Sequence, residues 1–188
     1  MKTDLFDYEL PAERIALHPP DRRDGARLLV LDPASGRVAL SRILDLGRHL
    51  PAGALLVVND SRVIPARLRG RRATGGAVEV LLVREEQRGA GRCRWAALAR
   101  ANKPLRAGDE IDLDGVAARV VERRGRGEIA LEVRADAGRF AAHLARAGET
   151  PLPPYIRRAV EPADRERYQT VFARRDGSVA APTAGLHF

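Results

Sequence analysis

The chain has 188 residues, which suits one domain or two small ones. Its hydrophobic share of 45% is normal for a globular protein, and no apolar run reaches the roughly 18–20 residues that span a bilayer. The single cysteine, Cys93, excludes an internal disulfide and a cysteine-based metal cage. We therefore expect a globular, cytoplasmic protein with no membrane segment.

Arginine carries nearly all of the formal net charge of +8, because Lys2 and Lys103 are the only lysines. A basic surface is the expected footprint of a polyanionic partner such as RNA or DNA. An arginine-rich composition also follows from a GC-rich genome, so the charge alone leaves both explanations open.

The first predicted elements are a hairpin, a helix and a strand. The run "ARLLVLDPASGRVAL" predicts two short strands joined by a turn, and "SRILDLGRHL" predicts a short helix with Ser41 as its N-cap. Residues 55–58 predict a buried strand that breaks at Asn59 and Asp60, residue types that favour turns.

From residue 66 to about 133, short strand-like runs alternate with glycine or polar turns. The alternation is clear at Val78, Val80 and Leu82. Five or six strands at this spacing predict a small barrel or sandwich.

The last third begins with "GRFAAHLARAG", which predicts a helix that ends at Gly148. Three prolines make "PLPPYIRR" extended, and "EPADRERYQTVFAR" predicts another helix with Pro162 near its start. The overall pattern is a β-rich module inserted between two parts of an α/β layer.

Four stretches are more polar or more constrained than folding alone requires: "RRDGAR", "NDSRVIPAR", "DRERYQTVFA" and "APTAGLHF". Each has a simpler structural explanation, since Asn59 and Asp60 suit a turn, Tyr168 suits helix packing and His187 suits a structural histidine. The other histidines, His18, His49 and His143, lack a metal-ligand spacing, so we expect no metal site. The sequence contains neither a Walker loop nor a dinucleotide fingerprint.

Taken together and in order, the longer motifs resemble the S-adenosylmethionine:tRNA ribosyltransferase-isomerase family of queuosine biosynthesis. These motifs are "LFDYELP", "RRDGARLLVLD", "LLVVNDSRVIPARLRG", "GGAVEVLLVR", "PLPPYIRR", "DRERYQTVFA" and "GSVAAPTAGLHF". The departures are mild: Ala26 and Ser61 stand where serine and threonine are expected, and Phe172 stands where tyrosine is common.

The resemblance implies an incomplete α/β domain with an inserted small antiparallel β-barrel domain. We expect residues 1–65 to form the first part of the α/β domain, 66–150 the barrel, and 151–188 the return to the α/β domain. Family members continue past the motif that resembles "APTAGLHF", so we expect a truncation inside a site rather than a natural terminus.

The resemblance also implies a reaction and its partners. The ribosyl part of S-adenosylmethionine is transferred and isomerised onto 7-aminomethyl-7-deazaguanine at the tRNA wobble position, which gives epoxyqueuosine and releases adenine and methionine. S-adenosylmethionine is then a co-substrate, tRNA is the partner, no metal is needed, and the protein is a monomer.

Within this reaction the hypothesis assigns proton transfer to His187 and Asp60, because the acidified C5′ beside a sulfonium needs a nearby base. The remaining assigned residues bind substrate. Tyr168, Gln169 and Thr183 position S-adenosylmethionine, Asn59 and Gly185 complete the site, and the arginines for its carboxylate or for RNA phosphate are Arg23, Arg27, Arg62, Arg67 and Arg157.

Two alternatives to catalysis by this chain stay open. One is a non-catalytic tRNA-binding β-barrel fragment of that enzyme. The other is an aggregating remnant, because a sheet that lacks its later strands exposes edges and apolar faces.

Overall fold

The computed structural model describes residues 2–188, and these form two compact units of mixed α/β structure. Unit 1 contains the described residues up to Leu56, together with Leu152–Ala159 and His187–Phe188. Unit 2 contains Val57–Pro151 and Val160–Leu186. Within residues 2–188, no helix is long and apolar enough to cross a membrane.

Unit 1 is built on an antiparallel hairpin of β1 (Arg27–Leu31) and β2 (Val38–Arg42). Asp32 stabilises the turn, because its Oδ1 accepts the Ala34 N–H at 3.0 Å and its Oδ2 accepts the Ser35 hydroxyl at 2.5 Å. The predicted hairpin is thereby confirmed. Short 3-10 helices flank it at Thr3–Phe6, Ala12–Arg14, Arg23–Gly25 and Ile43–His49.

Two predictions for this part of the chain are wrong in detail. The helix Ile43–His49 is a 3-10 helix, and Ser41 belongs to β2 and bonds His49 at 3.0 Å instead of capping the helix. Residues 55–58 form no strand, and Leu55 and Val57 are 87% and 82% exposed. An apolar run becomes a buried strand only when neighbours take its backbone hydrogen bonds and cover its side chains, and the described residues supply neither.

Unit 2 contains a six-stranded antiparallel sheet whose first strand also pairs with its last, so that the sheet closes into a barrel. The strands are β4 (Arg67–Arg72), β5 (Ala77–Gly89), β6 (Arg92–Ala101), β7 (Glu110–Asp112), β8 (Ala117–Gly125) and β9 (Glu128–Val133). Their order in the sheet is β4-β5-β6-β9-β8-β7.

The barrel core consists of the inward side chains of these strands. Val78, Val80 and Leu82 on β5 are all buried, as the alternation in the sequence predicts. The largest fully buried residues on the other strands and loops include Leu68, Leu113, Ile129, Leu131 and Val120. Because aromatic residues make up only 4% of the chain, aliphatic side chains fill most of this core.

The helix α1 (Ala137–Ala147) packs on the barrel through Phe140 and Leu144, which belong to the core, and His143 is also buried. Its first turn is capped by Asp136, whose Oδ1 accepts the Arg139 N–H at 2.9 Å. It ends before Gly148, as predicted, where the Gly148 N–H bonds the Leu144 carbonyl at 2.9 Å.

The rest of unit 2 is less regular than the sequence predicts. The helix expected over "EPADRERYQTVFAR" is one turn, α2 (Asp164–Arg167), and Tyr168 is its C-cap. The parallel strands β3 (Ser61–Val63) and β10 (Arg175–Ser178) pair with each other, and a 3-10 helix spans Thr183–His187.

Candidate functional site

Asp60 lies immediately before β3. Residues at the start of the paired strand β10 bond both its backbone carbonyl and its carboxylate. Its backbone carbonyl accepts the N–H groups of Arg174 and Arg175 at 2.8 and 3.2 Å. Its Oδ2 accepts both Nε and Nη2 of Arg175, at 3.0 and 2.8 Å. The side chain is therefore fixed in direction, with both bonds on one carboxylate oxygen.

Asn59 and Arg62 flank this carboxylate in the same segment. The Asn59 Oδ1 accepts the Ser61 N–H at 2.8 Å, so the turn that the sequence predicts there is present. Arg62 lies opposite Asp176 in the β3–β10 register, with 3.8 Å between Nε and the carboxylate. Both side chains are exposed, which leaves them accessible to a ligand.

Gln169 has a role that the sequence did not predict. Its Oε1 accepts the Val63 N–H at 2.9 Å and its Nε2 donates to the Val63 carbonyl at 2.8 Å. The side chain thus bonds β3 in the manner of a neighbouring strand. Its amide is occupied by this structural contact, although the sequence assigned it to substrate.

The 3-10 helix that contains Gly185 approaches the segment after α2 very closely. A Cβ on Gly185 would lie 2.8 Å from Cγ2 and 3.3 Å from Cβ of Thr170, so only glycine fits without displacement. Thr170 is buried, and its hydroxyl makes no hydrogen bond within residues 2–188. Thr183, two residues before Gly185, is exposed at the start of the 3-10 helix.

Arg67 and Tyr168 both take part in backbone hydrogen bonds of the fold. Arg67 begins β4, bridges Glu149 through its backbone, and places its Nε 3.9 Å from the Glu79 carboxylate. The Tyr168 N–H bonds the Asp164 carbonyl at 2.8 Å and ends α2. Both residues are half-buried.

The other assigned residues lie in unit 1. Arg23 begins a 3-10 helix, Arg27 begins β1 opposite Arg42, and Arg157 is exposed in the segment Leu152–Ala159. His187 is also exposed. Unit 2 therefore brings together the residues near β3, namely Asn59, Asp60, Arg62 and Gln169.

Sequence reasoning missed two residues that shape this site. Arg175 binds the carboxylate of Asp60, and Thr170 packs on Gly185. The two arginines before Asp176-Gly177 in "ARRDGS" are the sequence feature from which a carboxylate contact of Arg175 could have been predicted. Within the described part of the chain, no group of three or more histidine, cysteine or acidic side chains is placed to hold a metal ion.

The fold and site define a class: a mixed α/β protein with a closed antiparallel barrel and a carboxylate fixed beside a short parallel strand pair. The family model described as queuosine biosynthesis protein matches residues 3–188, and the chain belongs to that family.

Three curated relatives are named S-adenosylmethionine:tRNA ribosyltransferase-isomerase. The protein of Pelobacter propionicus is 52% identical over 184 residues, covering 97% of this chain and 53% of the relative. That of Anaeromyxobacter sp. strain Fw109-5 is 50% identical over 188 residues, covering 100% of this chain and 54% of the relative. That of Sorangium cellulosum is 45% identical over 209 residues, covering 100% of this chain and 56% of the relative.

The chain thus spans about half the length of the curated relatives it matches. Among solved structures, the S-adenosylmethionine tRNA ribosyltransferase of Thermotoga maritima is 32% identical, with a TM-score of 0.37 over 80% of this chain and 51% of that one.

Proposed function

We propose that this chain serves in the transfer and isomerisation of the ribosyl group of S-adenosylmethionine onto 7-aminomethyl-7-deazaguanine in the tRNA wobble position. The products are epoxyqueuosine in tRNA, adenine and methionine. The observation that carries the proposal is the family match over residues 3–188, together with the shared name of relatives about 50% identical. S-adenosylmethionine and tRNA are the substrates of this proposal.

The proposed architecture is a barrel domain at 66–150, inserted between the α/β segments 1–65 and 151–188. Support comes from the barrel strands, which are contiguous in sequence and close on themselves through the pairing of β4 with β7. A contiguous closed sheet with its own core is what an inserted domain requires.

The proposed proton-transfer groups are Asp60 and His187. Asp60 is suited to act as a base because Arg175 fixes its Oδ2, while Oδ1 accepts no hydrogen bond from the described residues. A base near C5′ removes the proton that the sulfonium acidifies, and a proton donor assists the departure of adenine. The exposed imidazole of His187 is free to take the second role.

The substrate-binding residues follow the same proposal. Arg23, Arg27, Arg62, Arg67 and Arg157 offer guanidinium groups to the substrate carboxylate or to RNA phosphate. Tyr168, Gln169 and Thr183 position S-adenosylmethionine, with Asn59 and Gly185 beside them. Gln169 does this indirectly, because its amide bonds β3.

The test joins residues 1–188 of this chain to the remaining sequence of the Anaeromyxobacter relative. The chimera is given S-adenosylmethionine and tRNA that carries 7-aminomethyl-7-deazaguanine, and the nucleosides are measured by mass spectrometry. We expect epoxyqueuosine from the chimera and a fall of about 10²-fold or more in kcat for His187→Ala. His49→Ala is the matched control, since His49 is also exposed and in unit 1.

No epoxyqueuosine from a folded chimera rejects the proposed activity. Equal turnover of His187→Ala and the control rejects the role of His187 but leaves the activity itself in place.

A second candidate function is tRNA binding without catalysis. The closed barrel and the net charge of +8 favour it, because arginine-rich surfaces bind the phosphate backbone. Binding of tRNA by the 188-residue chain, with affinity that falls steeply with salt and without consumption of S-adenosylmethionine, would support it.

A further inference from the structure

Arg175 selects one orientation of the Asp60 carboxylate. The terminal torsion of an aspartate side chain is broad and roughly two-fold, so an unrestrained carboxylate presents either of its oxygens to a ligand. Here Nε and Nη2 of Arg175 both bond the same oxygen, Oδ2, at 3.0 and 2.8 Å. The other oxygen, Oδ1, is therefore the one that faces away from the guanidinium.

This geometry differs from the usual bidentate pair, in which two nitrogens of an arginine bond the two oxygens of a carboxylate. A bidentate pair would engage both oxygens of Asp60. Within residues 2–188, Oδ1 accepts no hydrogen bond. Arg175 thus restrains the carboxylate without occupying the oxygen that a base needs for proton transfer.

The backbone holds the guanidinium at this place. Arg175 begins β10 and lies opposite Ser61 in the parallel pairing of β10 with β3. The N–H groups of Arg174 and Arg175 bond the Asp60 carbonyl at 2.8 and 3.2 Å. Because both the backbone and the side chain of Arg175 bond Asp60, the strand pairing determines how the guanidinium meets the carboxylate.

The ion pair contributes little to the stability of the fold. The side chains of Arg175 and Asp60 are 82% and 38% exposed, and an exposed pair is worth about 0–1 kcal/mol. A reaction rate is more sensitive to geometry, since a misplacement of about 1 Å can lower it about 10²-fold. The pair therefore suits a role in which orientation matters more than binding energy.

We propose that Arg175 is a positioning residue for Asp60, which directs Oδ1 toward the substrate and raises kcat without contacting the substrate itself. The inference rests on the proposed function, in which Asp60 removes the proton from C5′. Without the guanidinium the carboxylate rotates about its terminal torsion, and Oδ1 spends less time in the productive orientation. Substrate affinity stays the same, because no contact to the substrate is lost.

The test uses the chimera of residues 1–188 with the remaining sequence of the Anaeromyxobacter relative. Epoxyqueuosine formation is measured against the concentrations of S-adenosylmethionine and of tRNA, which gives kcat and both KM values. We expect Arg175→Ala to lower kcat by about 10- to 100-fold and to change neither KM by more than about twofold. Arg175→Lys should recover part of kcat, because its ammonium group can still donate to Oδ2.

Arg174→Ala is the matched control. Arg174 is the neighbouring exposed arginine, and its bond to Asp60 is made by its backbone N–H, which alanine retains. The kcat of this control should equal that of the unaltered chimera. Circular dichroism checks that each variant is folded, and Arg175→Met, which keeps an unbranched side chain without a donor, is used if Arg175→Ala is not.

A double-mutant cycle separates positioning from a direct role in the reaction. Single-turnover rates are compared for Asp60→Asn, Arg175→Ala and the double variant, because such rates can still be measured when turnover is slow. If Arg175 acts only through the carboxylate, its replacement should lower the rate by less than about twofold once Asp60 is asparagine.

Three results would overturn the proposal and leave the proposed activity in place. The first is a kcat of Arg175→Ala equal to that of the control. The second is a raised KM for tRNA at unchanged kcat, which would make Arg175 a contact to RNA phosphate. The third is an equal effect of Arg175→Ala with and without the Asp60 carboxylate. A folded chimera that forms no epoxyqueuosine rejects the proposed function instead, and this inference with it.

Discussion

At the residue scale, Gln169 shows how a motif residue can serve the fold. Its amide donates to and accepts from the backbone of Val63, which fixes β3 beside Asp60. A strand of three residues that pairs with β10 alone has few backbone hydrogen bonds, so a side chain that acts as a second neighbouring strand stabilises it. The carboxylate of Asp60 is then positioned partly by a residue more than 100 positions away.

The first prediction concerns Gln169→Glu. The carboxylate retains an acceptor for the Val63 N–H but places a negative oxygen against the Val63 carbonyl, so we expect a loss of about 1–3 kcal/mol in the free energy of unfolding at neutral pH. Part of this loss should be recovered as the pH falls below the glutamate pKa, because the protonated acid donates again. Urea titrations at several pH values measure both effects.

Gln87→Glu is the matched control, because Gln87 is exposed on β5. Equal stability of Gln169→Glu and the wild type would contradict the structural role and return the amide to substrate binding.

At the element scale, the barrel depends on a close approach of β4 and β7. Arg71 and Arg72 pair with Asp112 and Ile111, and this short ladder closes the sheet. A Cβ on Gly70 would lie 2.4 Å from the Asp112 carbonyl oxygen and 2.9 Å from Cδ2 of Leu113. Backbone atoms cannot move aside as a flexible side chain can. Glycine at position 70 therefore allows β4 and β7 to come close enough to pair.

We therefore expect Gly70→Ala to destabilise unit 2 by about 1–3 kcal/mol, the usual cost of overpacking, despite the better strand propensity of alanine. Denaturant unfolding followed by the fluorescence of Trp95 on β6 measures the change. Gly76→Ala is the control, since its Cβ would meet only Arg72 Cδ at 3.8 Å. Two variants of equal stability would show that the β4–β7 contact is not needed for the fold.

The elements also show what sequence patterns can and cannot predict. The alternation of Val78, Val80 and Leu82 and the amphipathic run of α1 identified these elements because each pattern states which face is buried. Residues 55–58 carry an equally strong apolar pattern but form no strand, because a strand needs a partner that the run itself does not encode.

The candidate site also combines features that the sequence predicts with features that it does not. The turn at Asn59 was predictable because its side chain bonds a backbone N–H two residues away. The pairing of Asp60 with Arg175 was not, since it joins residues 115 positions apart through a strand pairing that no local pattern fixes.

At the scale of the whole molecule, the two units differ in how far their apolar side chains are buried. Unit 2 contains the buried core, whereas no described residue of unit 1 is buried. One face of the β1–β2 hairpin is apolar and exposed, with Leu29 opposite Leu40 and Leu31 opposite Val38. Contiguous apolar surface of this kind promotes association and dye binding.

The last prediction follows from that face. Leu29 is 61% and Leu40 is 84% exposed, so their replacement by threonine removes apolar surface while a β-branched residue keeps the strand propensity. The double variant Leu29→Thr, Leu40→Thr should bind less 8-anilinonaphthalene-1-sulfonate and self-associate less than the wild type, at an unchanged midpoint of barrel unfolding. Dye fluorescence, sedimentation velocity and the Trp95 signal measure these three quantities.

The control, Leu28→Thr with Val30→Thr, alters the half-buried face of the same strand and should leave dye binding undiminished. If the double variant binds as much dye as the wild type, the face formed by Leu29 and Leu40 is covered in solution. The exposure of these two leucines would then not be the cause of dye binding.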